Sequence, residues 1–116
     1  MDRFIILSGA LCGAAGVALS AAAAHAGGGN LGTAANMLLV HAPALVAIGL
    51  SGRKPPPVVS LLLLAGVLLF CGDLLARHYT GDRLFPYAAP AGGTAMIGGW
   101  VALAVAAIIA PRTNRR

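Results

Sequence analysis

Four long apolar segments follow one another along the chain, separated by three short breaks. They cover about residues 4–24, 31–51, 57–76 and 88–110. Each is close to the ~20 residues that a helix needs to cross a hydrocarbon layer about 30 Å thick. Apart from Asp73, every charged side chain lies in a break or near one end of the chain. The pattern predicts an all-α integral membrane protein, a compact four-transmembrane-helix bundle forming one domain over residues 1–116.

The breaks have the composition of helix ends. Gly27-Gly28-Gly29-Asn30 separates the first two segments, and so short a link requires antiparallel neighbouring helices. Pro55-Pro56-Pro57 precedes the third segment, and proline is tolerated in the first turn of a helix. The third break, about residues 77–87, carries Tyr79 and Tyr87, which favour a membrane interface.

Composition leads to the same class of protein. Hydrophobic residues make up 59% of the 116 positions and charged residues only 9%. A small soluble domain could not hide so much apolar surface, because small folds leave a large share of their surface in water. We therefore expect the lipid bilayer to cover it. The formal net charge is +5, but the eight basic residues form no stripe or aromatic-interleaved patch, so nucleic acid is not an expected partner.

The basic residues indicate topology instead. Six of them fall on one side of a four-span protein: Arg3, Arg53, Lys54, Arg112, Arg115 and Arg116. The other side receives only Arg77 and Arg83, from the third break. The positive-inside rule then predicts that both the N-terminus and the C-terminus are cytoplasmic.

The N-terminal segment has an alternative interpretation. Arg3, the apolar run to Ala24 and the sequence Ala24-His25-Ala26 resemble a secretory signal peptide with its cleavage site. The run is longer than the ~7–15 residues of a typical apolar region in such peptides, which favours a retained first span. Cys12 and Cys71 lie inside apolar segments, where we expect small packing residues rather than a disulfide.

Small residues predict where the helices pack. Gly9 and Gly13 lie four apart in the first segment, and the fourth segment contains Gly92, Gly93, Gly98 and Gly99. Because lipid supplies no hydrophobic drive between helices, close approach at small side chains must supply much of the association. We expect these two segments to make the tightest contacts. The alternative is that the glycines let the backbone approach a ligand.

Four polar residues within or beside the spans carry the only chemical signal: His25, Asn36, His41 and Asp73. In the predicted topology all four lie toward the outer face of the membrane. A carboxylate at the centre of a span costs about 2.5–3.5 kcal/mol on insertion scales, so Asp73 needs a partner or water. The cluster has two interpretations, which are mutual hydrogen bonding near the interface or a site for a proton, an ion or a small ligand.

Motifs for other chemistry are missing from the sequence. The soft-metal ligand types His25, Met37, His41, Cys71 and Met96 are present, but without CxxC, HxxxH or CxxCH spacing. The chain also lacks a Gly-x-Ser-x-Gly elbow, a Walker loop and a dinucleotide-binding fingerprint. We therefore expect no metal, no cofactor and no enzymatic activity.

The order of several motifs resembles a known family. These are His41-Ala42-Pro43-Ala44-Leu45, then Phe70-Cys71-Gly72-Asp73, then Pro90-Ala91-Gly92-Gly93, then Gly99-Trp100. They are similar to the signatures of the YgdD-like family of small bacterial inner-membrane proteins of unknown function, related to eukaryotic transmembrane protein 256. The resemblance implies a four-helix, multi-pass fold in the bacterial inner membrane and implies no activity. Family members usually carry an aromatic residue, a leucine and a serine where this chain has Val40, Pro43 and Asp73.

We expect a non-catalytic protein that acts as an accessory or assembly component of a larger membrane complex, with other membrane-protein subunits or further copies of itself as partners. The absence of soluble segments and the small-residue faces of the helices motivate this hypothesis. The alternative is a small carrier or channel that uses the polar cluster in the outer half of the bundle.

The topology can be tested by cysteine labelling in a background that lacks Cys12 and Cys71. Cysteines at Gly28 and Thr80 are expected to react with an impermeant thiol reagent added outside, whereas cysteines at Ser51 and Thr113 are not. Outside labelling at Thr113 would remove one span or invert the chain.

Overall fold

A computed structural model describes residues 1–111 and contains four α-helices over that range. They are α1 (Arg3–Ala26), α2 (Gly29–Leu50), α3 (Pro57–Thr80) and α4 (Ala88–Ile109). Each is long and apolar enough to cross a membrane. The predicted all-α architecture of four transmembrane helices is confirmed. Helix α3 continues to Thr80 instead of ending at 76, so Arg77 belongs to the helix. Arg112, Thr113, Arg115 and Arg116 lie outside the described residues.

Local chemistry explains where the helices begin and end. The side chain of Asp2 accepts a hydrogen bond of 3.2 Å from the backbone N–H of Ile5, which caps α1. Pro57 opens α3, and Gly81 ends it in a left-handed conformation with φ +83°. Tyr87 also has a positive φ of 68° before α4, and no side chain caps that helix from the Tyr87 position. The start of α4 therefore depends on contacts from elsewhere in the fold.

The helices form two antiparallel hairpins. Helix α1 packs on α2, α3 packs on α4, and a smaller interface between α2 and α3 joins the pairs. The largest fully buried apolar side chains come from these two central helices: Leu31, Leu45, Val59, Leu63 and Val67. The hydrophobic core therefore lies along the α2–α3 seam, and α1 and α4 present broad outer faces to the surroundings.

Glycines bring the backbones of each hairpin into close contact. A Cβ atom added at Gly9 would lie 2.9 Å from the carbonyl oxygen of Ala42 in α2. A Cβ at Gly92 would lie 2.5 Å from the backbone nitrogen of Phe70 in α3. The neighbours at both positions are helix backbones, so packing explains these glycines without a ligand. Gly13, by contrast, leaves ordinary spacing, since a Cβ there would lie 3.5 Å from its nearest neighbour, the Cβ of Ala42.

Further close contacts follow the same two faces. Gly16 faces Leu39, Gly49 faces Ile6, and Gly99 faces Leu63, each at a distance that leaves no room for a side chain. Gly66 is the counterpart of Gly92, because a Cβ at Gly66 would lie 2.9 Å from the Gly92 carbonyl oxygen. Helices α1 and α4 thus make tight contacts as expected, each with its own hairpin partner.

The two ends of the bundle differ in charge. At one end, the backbone N–H of Asp2 donates to the Gly49 carbonyl at 2.8 Å, and Arg53 Nη1 donates to the Pro111 carbonyl at 3.4 Å. We call this the basic end, since it also carries Arg3 and Lys54. The other end holds the α1–α2 and α3–α4 links, where a Cβ at Gly28 would lie 3.2 Å from His78 Cε1.

Arg3, Arg53 and Lys54 thus lie at one end of the bundle, as the positive-inside rule requires of them. That this end is cytoplasmic stays a prediction. It also improves the labelling experiment. Gly28 has φ +100°, which strains any other residue, whereas Gly29 has ordinary backbone and open space around it. Cysteine at Gly29 is therefore the better probe of that link.

The close contact at Gly92 predicts a difference between neighbouring glycines. Gly92→Ala is expected to lower the free energy of unfolding by about 1–3 kcal/mol, because the new methyl group overpacks against α3. Gly93→Ala is the matched control: its Cβ would lie 3.9 Å from Phe70 Cδ1, and alanine favours a helix by up to about 1 kcal/mol. Thermal unfolding in mild detergent measures both. Equal losses in the two variants would contradict the packing account.

Candidate functional site

Two strongly polar side chains are buried within the helices, His41 on α2 and Asp73 on α3. Their exposed fractions are 3% and 0%. A polar group removed from water is costly unless it finds hydrogen-bond partners, and a charge more so. Their partners therefore decide what these residues contribute.

His41 is held between a backbone carbonyl and an indole. Its Nδ1 lies 2.8 Å from the carbonyl oxygen of Met37, one turn earlier on α2. Its Nε2 lies 3.1 Å from Nε1 of Trp100 on α4. A carbonyl only accepts and an indole N–H only donates, so Nδ1 carries the proton and Nε2 accepts. With this tautomer both ring nitrogens have hydrogen-bond partners.

The His41–Trp100 contact also has a structural consequence. The ring centroids are 5.7 Å apart and the planes are tilted by 58°. The contact joins α2, in the first hairpin, to α4, in the second. Together with the α2–α3 seam it fixes how the two hairpins face each other.

Asp73 is compensated within α3 and by the following link. Arg77 Nη2 donates to Oδ2 at 2.8 Å, one helical turn away. The backbone N–H of Leu84 donates to Oδ1 at 2.9 Å. The backbone N–H of Ala89, in the first turn of α4, also lies close to this carboxylate. We call Asp73, Arg77 and the Leu84 amide the Asp73 clasp.

The clasp explains how the third break and α4 are positioned. Residues 81–87 are exposed, and the Leu84 amide is their attachment to the buried carboxylate. The carboxylate also places negative charge beside the N-terminus of α4, where the helix dipole favours it and no residue of that turn supplies a cap. Asp73 therefore acts here as a structural residue that anchors the link to α3.

The structure does not bring the four predicted cluster residues together. His25 is exposed at the end of α1, and Asn36 is exposed on α2. Asn36 and His41 are five residues apart on α2, which places their side chains about 140° apart around the helix axis. The two side chains therefore do not share a face. His41 and Asp73 bond to Trp100, Met37, Arg77 and Leu84 instead of to each other. The expected mutual pairing is corrected accordingly.

Several of these partners were not identified from sequence. Arg77 was assigned to the third break, although its spacing of four from Asp73 is a helical pairing signal. Trp100 stood out only as a family motif, and 59 positions separate it from His41. No local pattern could have joined them. The sequence around Gly66, the partner of Gly92, likewise does not indicate which helix that glycine faces.

Soft-ligand residues are scattered through the bundle. Within residues 1–111, no group of three or more His, Cys, Asp or Glu side chains is arranged to hold a metal ion. Cys12 and Cys71 are both buried thiols, and the Cys71 thiol donates to the Ala34 carbonyl at 3.4 Å. Met96 packs in the hydrophobic core.

Comparison with known proteins identifies relatives of this chain. A family model described as "Protein of unknown function (DUF423)" matches residues 12–93, which run from α1 into the start of α4. The chain is also similar to a "UPF0382 membrane protein" of Haemophilus influenzae, with 32% identity over 111 residues, covering 86% of each chain. No solved structure matches the chain significantly.

The hydrogen bonds predict which polar residues are coupled. His41→Leu and Trp100→Phe should be non-additive in a double-mutant cycle by about 0.5–2 kcal/mol, because each variant removes the same bond. His41→Leu and Asp73→Leu share no partner and should add within about 0.5 kcal/mol. Thermal stability in detergent measures both cycles. Strong coupling of His41 to Asp73, with none to Trp100, would restore the cluster and refute this account.

Proposed function

The chain belongs to the DUF423 family of proteins of unknown function, and from this premise we propose that it is a non-catalytic accessory or assembly component of a larger complex in the bacterial inner membrane. It is a membrane protein with four apolar helices, and the Haemophilus influenzae relative is named a membrane protein. The predicted positive-inside orientation also supports the inner membrane, because that rule describes helical proteins of such membranes.

The observation that carries the proposal is the outer face of α1. The buried residues of this helix, Ile5, Gly9, Cys12 and Gly16, all lie on the side that packs against α2. The opposite side presents a row of exposed small residues at helical spacing: Ala10, Ala14, Ala18 and Ala21. In lipid, rows of small side chains let a second helix approach closely. This face is suited to a helix of a partner subunit.

The internal hydrogen bonds support a non-catalytic role. A general acid, a general base or an ion ligand needs a proton or a lone pair that is available to its substrate. Both nitrogens of His41 have partners within the chain, and the Asp73 carboxylate is fully buried and paired with Arg77, so neither group is exposed to a substrate. For the same reason, the carrier or channel that the polar cluster suggested is not proposed.

Affinity purification of the full-length protein in mild detergent, followed by mass spectrometry, tests the proposal. A membrane-protein partner is expected in stoichiometric amount, and Ala14→Phe should reduce its recovery severalfold by blocking close approach to α1. Ala104→Phe makes the same change on the exposed face of α4 and should leave recovery unchanged.

Two outcomes would count against the proposal. A monomer or homo-oligomer with no stoichiometric partner would exclude an accessory role under those conditions. Equal loss of the partner in the Ala14→Phe and Ala104→Phe variants would remove the role assigned to the outer face of α1.

A further inference from the structure

A groove at the basic end lies outside the polar contacts described above. It has a volume of about 580 Å³ and separates the α2–α3 link from the last turns of α4. Leu103, Ala107 and Ile109 supply apolar walls, and Arg53 and Lys54 supply two adjacent cations. The groove therefore combines a basic rim with a hydrocarbon-like interior.

The rim is held in place by the link itself. The Ser51 hydroxyl donates to the Arg53 carbonyl at 2.9 Å and accepts from the Arg53 N–H at 3.1 Å, which closes a tight turn. Arg53 also reaches across to the Pro111 carbonyl beyond α4. Three successive prolines then fix the backbone φ angles up to the start of α3. The two cations are thus kept beside the end of α4.

The charges favour an anionic occupant. None of the lining residues that the structure describes is acidic. Among the described residues of the basic end, Asp2 alone is acidic, and its carboxylate caps α1. Asp73 and Asp82 belong to the opposite end. An anion entering the groove would therefore meet basic side chains with no opposing carboxylate in its walls.

We propose that this groove binds an anionic phospholipid, with its phosphate at Arg53 and Lys54 and an acyl chain along Leu103 and Ala107. The apolar wall at Ile109 is itself exposed beside Ile108, so the groove opens onto an apolar outer surface of α4. Basic grooves between transmembrane helices are suited to such headgroups. This inference is independent of the accessory role proposed above.

Two other occupants fit less well. The sequence that follows Pro111 contains three arginines and no Asp or Glu, so its side chains do not complement a basic rim. Inorganic phosphate would satisfy the cations but would leave the apolar walls in contact with water. An amphipathic anion uses both surfaces.

A second groove provides an internal comparison. It has a similar volume, about 590 Å³, and lies along α3 and α4 with Arg77 and Arg83 on its rim. Arg77 is paired with the buried carboxylate of Asp73 at 2.8 Å. Arg77 on that rim is thus already paired with a carboxylate, whereas none of the described residues that line the groove at the basic end is acidic.

Tryptophan quenching can test the proposal, because Trp100 is the single tryptophan of the chain. It precedes Leu103 by three residues, or about 4.5 Å along the helix axis. The full-length protein would be reconstituted into phosphatidylcholine vesicles that contain either brominated phosphatidylglycerol or brominated phosphatidylcholine. Stronger quenching by the brominated phosphatidylglycerol at equal content would give its relative affinity.

The variants separate a site from diffuse attraction. Arg53→Gln and Lys54→Gln should each lower the preference for phosphatidylglycerol severalfold, because each removes one of the two cations at which the phosphate is placed. Arg3→Gln removes the same charge at the same end, but Arg3 does not line the groove, so the preference should be unchanged. Ala107→Phe keeps every charge, fills the groove and should also lower the preference. Thermal unfolding and the Trp100 emission maximum verify that each variant is folded.

Four results would overturn the proposal. The first is no preference for phosphatidylglycerol in the unsubstituted protein, and the second is an equal loss of that preference in Arg3→Gln and Lys54→Gln. The third is a preference that survives Ala107→Phe, and the fourth is competition by inorganic phosphate at constant ionic strength. The second would indicate surface potential alone, and the fourth would indicate a site for a free anion. Should Arg53→Gln fail to fold, Lys54→Gln and Ala107→Phe decide the question.

Discussion

Close approach of helix backbones at glycine is the contact on which this bundle depends. Helices in lipid gain no hydrophobic drive by leaving the hydrocarbon, so association relies on close packing and hydrogen bonds. The crossing of α3 and α4 shows this most clearly, because a Cβ at Gly92 would lie 2.8 Å from the Gly66 carbonyl oxygen. Gly9 and Gly16 give α1 the same access to α2. The positions of the polar groups follow from these two crossings.

The buried polar residues form hydrogen bonds between parts of the chain that the glycine contacts bring close together. His41 and Trp100 connect the two hairpins, and the Asp73 clasp attaches the α3–α4 link to α3. Each group costs free energy when it is buried without a partner, so a change in helix register would leave them unsatisfied. The hydrogen bonds of His41 and Asp73 therefore favour one arrangement of the helices.

The two surfaces for which contacts are proposed lie on the outside of the bundle. The alanine row of α1 faces away from the bundle, and the groove beside Arg53 and Lys54 opens at the basic end. One surface is suited to a helix and the other to a lipid, because one offers small side chains and the other combines charge with apolar walls. The proposed role within an assembly rests on the first of these surfaces, and the proposed lipid site rests on the second.

The sequence by itself determined the four helices and their approximate ends, because bilayer thickness, glycine and proline act over short stretches of chain. It also contained the Asp73–Arg77 spacing, which is local to one helical turn. Only the tertiary structure decided that Gly66 faces Gly92 and that His41 meets Trp100 instead of Asp73 or Asn36. Those contacts depend on how each helix is rotated about its axis, and that rotation is set jointly by side chains from segments far apart in the chain.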